Sequence, residues 1–261
     1  MSRPNTRRHR VPTLVAFLAL TLLGGSGLWA APDLYDAAVA HPGRIAGDLK
    51  RDPIDHPAEI LRLAGIKPGM SVGDFMGADG YYSELLSYVV GPKGHVLLFN
   101  NLAYDDWSEN KWKGRIEGRL GNVEHRTIDA EHLDVPDHSL DAMLLIKVYH
   151  DLYWVDEDPK DHWPKFDVSR VLSEINRVLK PGGILVVVDH SAQPGTGNSA
   201  AGPLHRIDEQ YALADFEKHG FKPVGRSDVL RRPDDARDQL TYKGPMVGKT
   251  DRFVLVFHKS G

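Results

Sequence analysis

Short apolar runs alternate with amphipathic segments along most of the chain. Most of these runs span about five to seven residues between glycine, proline, asparagine or aspartate, a pattern that predicts strands, and the runs at 123–128 and 222–227 are more polar than the others. The predicted strands are 71–76, 95–99, 123–128, 140–146, 184–188, 222–227 and 252–258. Strands that alternate with helices predict an α/β domain with a doubly wound, Rossmann-like and mostly parallel sheet. Because no clear helical pattern joins the last two strands, we expect an antiparallel strand at one edge.

The predicted helices occupy the segments between these runs. Apolar positions with helical spacing predict helices at Tyr81–Val90, at 168–179 and at 208–219. Residues 32–67 are also predicted to be helical and amphipathic, with Pro57 in the first turn of a helix. Lys180-Pro181-Gly182-Gly183 predicts a tight turn.

The N-terminus has the order of a secretory signal. Arginines within the first ten residues precede an apolar run at 11–23, and small residues follow. We assign residues 1–31 to the signal, with cleavage expected after Ala30 and Ala38-Val39-Ala40 as a later alternative. The apolar stretch is short for a membrane anchor, which needs about 20 residues, so no stable span is expected after signal removal. The predicted location is periplasmic or secreted, and Arg7-Arg8 leaves the twin-arginine route open.

Composition limits what the remaining chain does. The 261 residues suit one domain, which we place at 57–261 behind a helical extension at 32–56. There is no cysteine, so disulfides, thiolate metal sites and a cysteine nucleophile are excluded. A net charge of -4, with scattered basic residues, argues against nucleic-acid binding.

Polar residues follow the predicted strands in an ordered way. In open α/β sheets, ligands bind at the carboxyl ends of the strands. The residues in that position are Asp74 with Gly77 and Gly80, Asn100, Asp129, the group of Lys147 with Tyr149-His150-Asp151, and Asp189-His190. A glycine-rich turn followed by a polar residue at the end of the second strand is typical of a nucleoside site.

These segments resemble class I S-adenosylmethionine-dependent methyltransferases, and more closely a family of predicted secreted methyltransferases of bacteria. The segments that carry the resemblance are 56–61, 66–72, 77–82, 149–151, 179–183, 189–190, 204–208 and 227–231. The resemblance implies S-adenosylmethionine as a small-molecule cofactor and a methyl acceptor that the sequence does not identify, whether small molecule, lipid or protein. It also implies that Asp74, Gly77, Ala78 and Gly80 form the cofactor loop.

The same resemblance implies further contacts to the cofactor. Asn100 would bind the ribose, and Asp129 would face the adenine amino group. The chain departs from the family at three positions, because Met76 and Ala78 replace usual glycines and Asn100 replaces a usual acid.

Methyl transfer also needs a base near the acceptor. His150 is the first candidate, because an unperturbed histidine titrates near pH 6.5. Asp151 or Tyr149 would orient it or line the pocket. Asp189, His190 and His205 are candidates for substrate binding.

Two other functions remain open. A binding protein could retain the methyltransferase scaffold without activity, which the three departures and export would explain. Alternatively, zinc or iron could be bound by three histidine and aspartate pairs, which are His150-Asp151, Asp189-His190 and His205 with Asp208. Their spacing matches no compact metal motif. We therefore assign no metal ligand from the sequence.

Overall fold

The computed structural model describes Met1 and residues 33–155 and 163–260. The predicted signal segment lies outside these residues. No helix among the described residues is both long enough and apolar enough to cross a membrane.

The described residues form a seven-stranded sheet with the order β3-β2-β1-β4-β5-β7-β6. The strands are β1 (Ser71–Phe75), β2 (His95–Asn100), β3 (Val123–Thr127), β4 (Leu140–Ile146), β5 (Leu179–His190), β6 (Phe221–Ser227) and β7 (Arg252–Lys259). Neighbouring strands from β3 to β5 are parallel, whereas β7 is antiparallel to both β5 and β6. The predicted fold class is confirmed, with the antiparallel strand inserted next to the edge.

Helices cover both faces of the sheet. They are α1 (Leu34–Val39), α2 (Asp52–Asp55), α3 (Pro57–Ala64), α4 (Tyr81–Val90), α5 (Leu102–Trp107), α6 (Trp112–Ile116), α7 (Val168–Val178), α8 (Ala201–Leu204) and α9 (Glu209–Lys218). Single 3₁₀ turns occur at Ala46–Lys50, His150–Tyr153 and Gly244–Met246. One apolar core joins α7 and α9 to one face of the sheet, and a second joins α3 and α4 to the other.

One prediction is confirmed and another needs correction. Residues 33–64 form several short helices, and Pro57 begins one of them, as predicted, after His56 adopts a left-handed conformation (φ 44°). Strand β5, in contrast, begins earlier than predicted. Leu179 pairs with Leu140 and Ile184 with Ala142, so residues 180–183 bulge within β5.

The strand order places a crevice at the carboxyl ends of β1 and β4. From β1 the chain proceeds to β2 and β3 on one side, while β4 and β5 lie on the other. This switch point is where open α/β sheets bind ligands. The loops after β1, β2, β3, β4 and β5 therefore form the candidate site.

Candidate active site

The loop after β1 has the backbone shape of a glycine loop, although two of its residues carry side chains. Met76 (φ 49°), Ala78 (φ 55°) and Gly80 (φ 81°) all have left-handed dihedral angles. That conformation costs a residue with a side chain about 1–2 kcal/mol. Gly77 is required for a different reason, since a Cβ there would lie 2.4 Å from Asp74 Oδ2.

Asp74 and Asn100 support this loop from inside the protein. Asp74 is buried and accepts a hydrogen bond of 2.7 Å from Ser83 Oγ. Burial raises the pKa of Asp74 to about 6, although its bonds to Ser83 oppose the rise. Asn100 Oδ1 accepts from the Ala78 N–H at 3.0 Å, and Asn100 Nδ2 donates to the Ala78 carbonyl at 2.9 Å.

The geometry corrects the role expected for Asn100. Its Nδ2 also donates to Asp105 Oδ1 at 2.8 Å, and the whole residue is buried. The same Asp105 accepts from Thr127 Oγ1 and contacts His125 Nε2. The side-chain amide of Asn100 therefore bonds to the loop and to Asp105, and both hydrogens of Nδ2 are used in these bonds. Asn100 thus holds the loop in place and has no free donor for a ribose.

A cavity of about 420 Å³ lies at the carboxyl ends of β2 and β3. Its wall includes Asn101, Leu102, Ile128, Asp129 and Phe166. The Asp129 side chain is exposed there, and Asn101 Nδ2 is a buried donor with no hydrogen-bond partner among the described residues. This volume is in the range of small-molecule sites, which combine apolar walls with a few polar groups. The sequence analysis missed Asn101, although it directly follows Asn100 at the strand end.

A second group of polar side chains gathers after β4 and β5. His150 and Asp151 lie in the 3₁₀ turn after β4, and His205 ends α8 with a left-handed conformation. His150 Nε2 is 3.0 Å from Asp151 Oδ1 and 3.3 Å from His205 Nδ1. His205 Nδ1 is 3.2 Å from the same Asp151 oxygen. We call these three residues the His-Asp cluster.

Two buried partners fix the orientation of the His-Asp cluster. Asp189, at the end of β5, accepts hydrogen bonds from the His150 N–H (2.8 Å) and contacts His150 Nδ1 (2.7 Å). Tyr104 of α5 donates from its hydroxyl to Asp151 Oδ2 at 2.6 Å. Burial alone would lower the pKa of His150, but Asp151 and Asp189 outweigh it and raise the pKa to about 10. In this arrangement His150 carries its proton at neutral pH, so it is a poor base by itself.

Tyr149 and Asp189 have other roles than predicted, whereas His190 stays a candidate for substrate binding. Tyr149 is fully buried and donates to Asp215 at 2.7 Å, so it packs beneath the site instead of lining it. Asp189 is also fully buried and orients His150, which leaves it no surface for a substrate. His190 lies beside the cluster and contacts Thr250 Oγ1 at 2.8 Å. Burial, together with the positive charge of its neighbours, lowers the pKa of His190 well below its usual range.

A cluster of basic side chains around Asp55 was not predicted. The Asp55 carboxylate forms ion pairs with Arg51, Lys147 and Arg252. Burial and the nearby Arg51 lower the pKa of Lys147 to about 8, against the opposing effect of Asp55. Three basic groups facing one carboxylate give this part of the crevice, directly after β4, an excess of positive charge.

The chain is similar to known methyltransferases in sequence. Residues 99–187 match the family described as "Methyltransferase domain". The ubiquinone/menaquinone biosynthesis C-methyltransferase of Vibrio cholerae is 29% identical over 192 residues, which cover 71% of this chain and 65% of that protein. The chain thus matches slightly less than two thirds of the length of this relative.

Solved structures with the same fold include a methyltransferase and a cyclase. The S-adenosylmethionine-dependent methyltransferase of Aquifex aeolicus aligns with a TM-score of 0.58 and 22% identity, covering 80% of this chain and 93% of that chain. The [4+2]-cyclase SpnF aligns with the same TM-score and 15% identity, covering 84% and 85% of the two chains. At these identities the alignments establish the fold, which by itself does not determine the reaction. In sequence the chain is thus similar to methyltransferases, and in fold it is similar to S-adenosylmethionine-dependent methyltransferases.

Proposed function

We propose that this protein transfers a methyl group from S-adenosylmethionine to a small-molecule acceptor after export to the periplasm or the exterior. The observation that carries the proposal is the cavity after β2 and β3, where the exposed Asp129 carboxylate and Asn101 Nδ2, a donor without a partner in the described part of the chain, meet apolar walls. These features fit an adenosyl group, which offers hydrogen-bonding edges and a flat apolar ring. Export rests on the N-terminal sequence pattern.

In this proposal each part of the site has a separate task. Bound S-adenosylmethionine supplies an electrophilic methyl group on its sulfonium. Asp129 and Asn101 bind the adenosine part, and the loop at 76–80 lets the main chain approach it closely. In the absence of a bound ion, His205, the partly exposed member of the His-Asp cluster, takes up the acceptor proton, because His150 already holds a proton between two carboxylates.

The identity of the acceptor is a separate step of the proposal. The Vibrio relative is named as a C-methyltransferase, so we propose carbon as the first acceptor atom to test. Positive charge around Lys147 favours an acceptor that reacts as an anion, because a nearby cation stabilises the deprotonated form.

Calorimetric titration of the purified protein with S-adenosylmethionine and S-adenosylhomocysteine tests the cofactor site. We expect a dissociation constant near micromolar, about 8 kcal/mol of binding free energy. Asp129→Ala, and Asn101→Ser, which keeps a helix-capping oxygen, should each weaken binding by about tenfold, because each removes one hydrogen bond in the cavity.

Asp228→Ala is the matched control. Asp228 is also an exposed carboxylate that follows a strand, but it lies after β6 at the opposite edge of the sheet. Its replacement should leave the affinity unchanged. If folded protein binds neither ligand, the methyltransferase proposal is wrong and the non-catalytic binding protein becomes the better explanation. If Asp129→Ala binds as well as the parent, the assignment of the cavity is wrong.

A further inference from the structure

The His-Asp cluster brings three metal-ligating atoms together without a matching sequence motif. The atoms are His150 Nε2, Asp151 Oδ1 and His205 Nδ1, and their three separations are 3.0, 3.3 and 3.2 Å. Within the described parts of the chain, this is the group whose ligand atoms are close enough to share one ion. We propose that the His-Asp cluster binds a divalent transition-metal ion.

The size of this triangle fits a metal coordination sphere. Ligand atoms about 2.0–2.1 Å from a zinc ion lie about 3.3 Å apart in a tetrahedron and about 3.0 Å apart in an octahedron. The observed edges fall between these limits, so one ion can contact all three atoms without a large rearrangement. Two imidazole nitrogens and one carboxylate oxygen suit zinc and ferrous iron better than magnesium or calcium.

The outer contacts of the cluster also fit a metal site. Metal-binding histidines usually donate their second ring N–H to a carboxylate or carbonyl, which fixes the ring and directs the other nitrogen toward the ion. His150 meets this condition, because Asp189 contacts Nδ1 and leaves Nε2 facing the other two ligands. Asp151 meets the corresponding condition for a carboxylate, since Tyr104 donates to Oδ2 and leaves Oδ1 free for an ion.

The position of the cluster indicates what such an ion would do. The cluster follows β4 and β5 at the crevice edge, and the His205 side chain is 13% exposed. Three protein ligands are the number found at catalytic zinc, where water or substrate takes the remaining position. If the proposed methyl transfer is correct, an ion here would replace the proton on His150 Nε2, bind a hydroxyl of the acceptor and lower its pKa. The cluster would then activate the acceptor through the ion instead of acting as a base. The metal site itself does not depend on that function.

Cobalt(II) titration of the purified, chelator-treated protein tests the proposal directly. Cobalt(II) is the probe because nitrogen and oxygen ligands give it visible absorption bands, whose intensity reports the coordination number. We expect the bands to saturate at one equivalent of cobalt and to disappear when excess zinc displaces it. His205→Gln should weaken cobalt binding by at least about tenfold, and Tyr104→Phe by about tenfold through loss of an outer hydrogen bond.

His219→Gln is the matched control. Like His205, His219 is partly buried, follows the last residue of a helix and contacts an aspartate, in this case Asp215 at 3.4 Å. Its replacement should leave cobalt binding unchanged. Failure of the folded parent protein to bind cobalt or zinc stoichiometrically would overturn the proposal, as would a His205→Gln variant that binds cobalt like the parent. Because the titration contains no S-adenosylmethionine, its result is independent of the cofactor experiment.

Discussion

Replacing Asn100 by the acid usual in the superfamily should destabilise this protein. Asn100 Nδ2 donates to the Ala78 carbonyl and to Asp105 Oδ1, both at buried positions. Asn100→Asp removes both donations and brings a second carboxylate next to Asp105. The Ala78 carbonyl then loses its side-chain donor, which costs about 1–3 kcal/mol, whereas Asp105 Oδ1 keeps its contact with His125. Because repulsion between the two carboxylates adds to this loss, we expect the free energy of unfolding to fall by about 3 kcal/mol at pH 8.

The loss of stability caused by Asn100→Asp should be larger at high pH than at low pH. Burial and the neighbouring Asp105 raise the folded-state pKa of the introduced carboxyl above its unfolded value of about 3.9. A protonated carboxyl can donate again, so the penalty is small below the unfolded pKa and grows as the pH rises toward the folded one. The stability difference between parent and variant should therefore shrink between pH 8 and pH 4.

Urea unfolding at both pH values, followed by circular dichroism, measures this difference. The double variant Asn100→Asp/Asp105→Asn restores a facing carboxylate and amide, and serves as the control. We expect it to be more stable than the sum of the two single changes by about 1–2 kcal/mol. The reasoning is refuted if Asn100→Asp is as stable as the parent at pH 8, or if the two substitutions are additive.

Three further predictions concern the loop and the buried residues beneath it. Ala78→Gly should raise the free energy of unfolding by about 1 kcal/mol, because glycine adopts the left-handed conformation at this position without strain. The control Ala58→Gly, inside α3, should lower the free energy of unfolding by a similar amount. If urea unfolding shows the same sign for both substitutions, the prediction is wrong. The pKa of Asp74 rises from 3.8 to about 6 on folding, so its contribution should lower stability by about 2 kcal/mol as the pH increases from 4 to 6. Asp74→Asn should flatten this part of the pH profile relative to the parent, and an unchanged slope would show that Asp74 is not the titrating group. Tyr149→Phe should lower the free energy of unfolding by about 1 kcal/mol and leave the affinity for S-adenosylhomocysteine, measured by calorimetry, unchanged. A large loss of affinity would show that Tyr149 contributes to the binding site.

The sequence was most informative where local pattern and tertiary structure agree. Strand β4 and helix α4 have the predicted bounds, because their apolar runs are both continuous and clearly terminated. The start of α3 at Pro57 was predicted, whereas the left-handed turn at His56 that separates α3 from α2 was not, since periodicity carries no signal for it. The bulge at 180–183 was predicted as a turn outside the strand, because only the register with β4 shows that β5 begins at Leu179.

The candidate site was predictable in position and less so in detail. The rule that polar residues gather at strand ends correctly pointed to His150 and Asp151, which the structure brings to His205. The rule cannot tell which way each side chain faces. Tyr149 therefore turned out to be buried, although it is adjacent to His150 in the chain. Tyr104 was missed because it lies inside a short helix, not at a strand end.

Tyr104 also has a consequence for how this protein can change during evolution. Its main-chain N–H bonds to Asn101 Oδ1 at the cavity, and its hydroxyl bonds to Asp151 in the His-Asp cluster. One residue of the six-residue helix α5 thus joins the two sites. A substitution that shifts α5 to accommodate a new acceptor also moves a wall of the proposed cofactor cavity. We therefore expect that descendants of this sequence with a changed acceptor preference also have a changed cofactor affinity, and that the substitutions responsible lie in or next to α5.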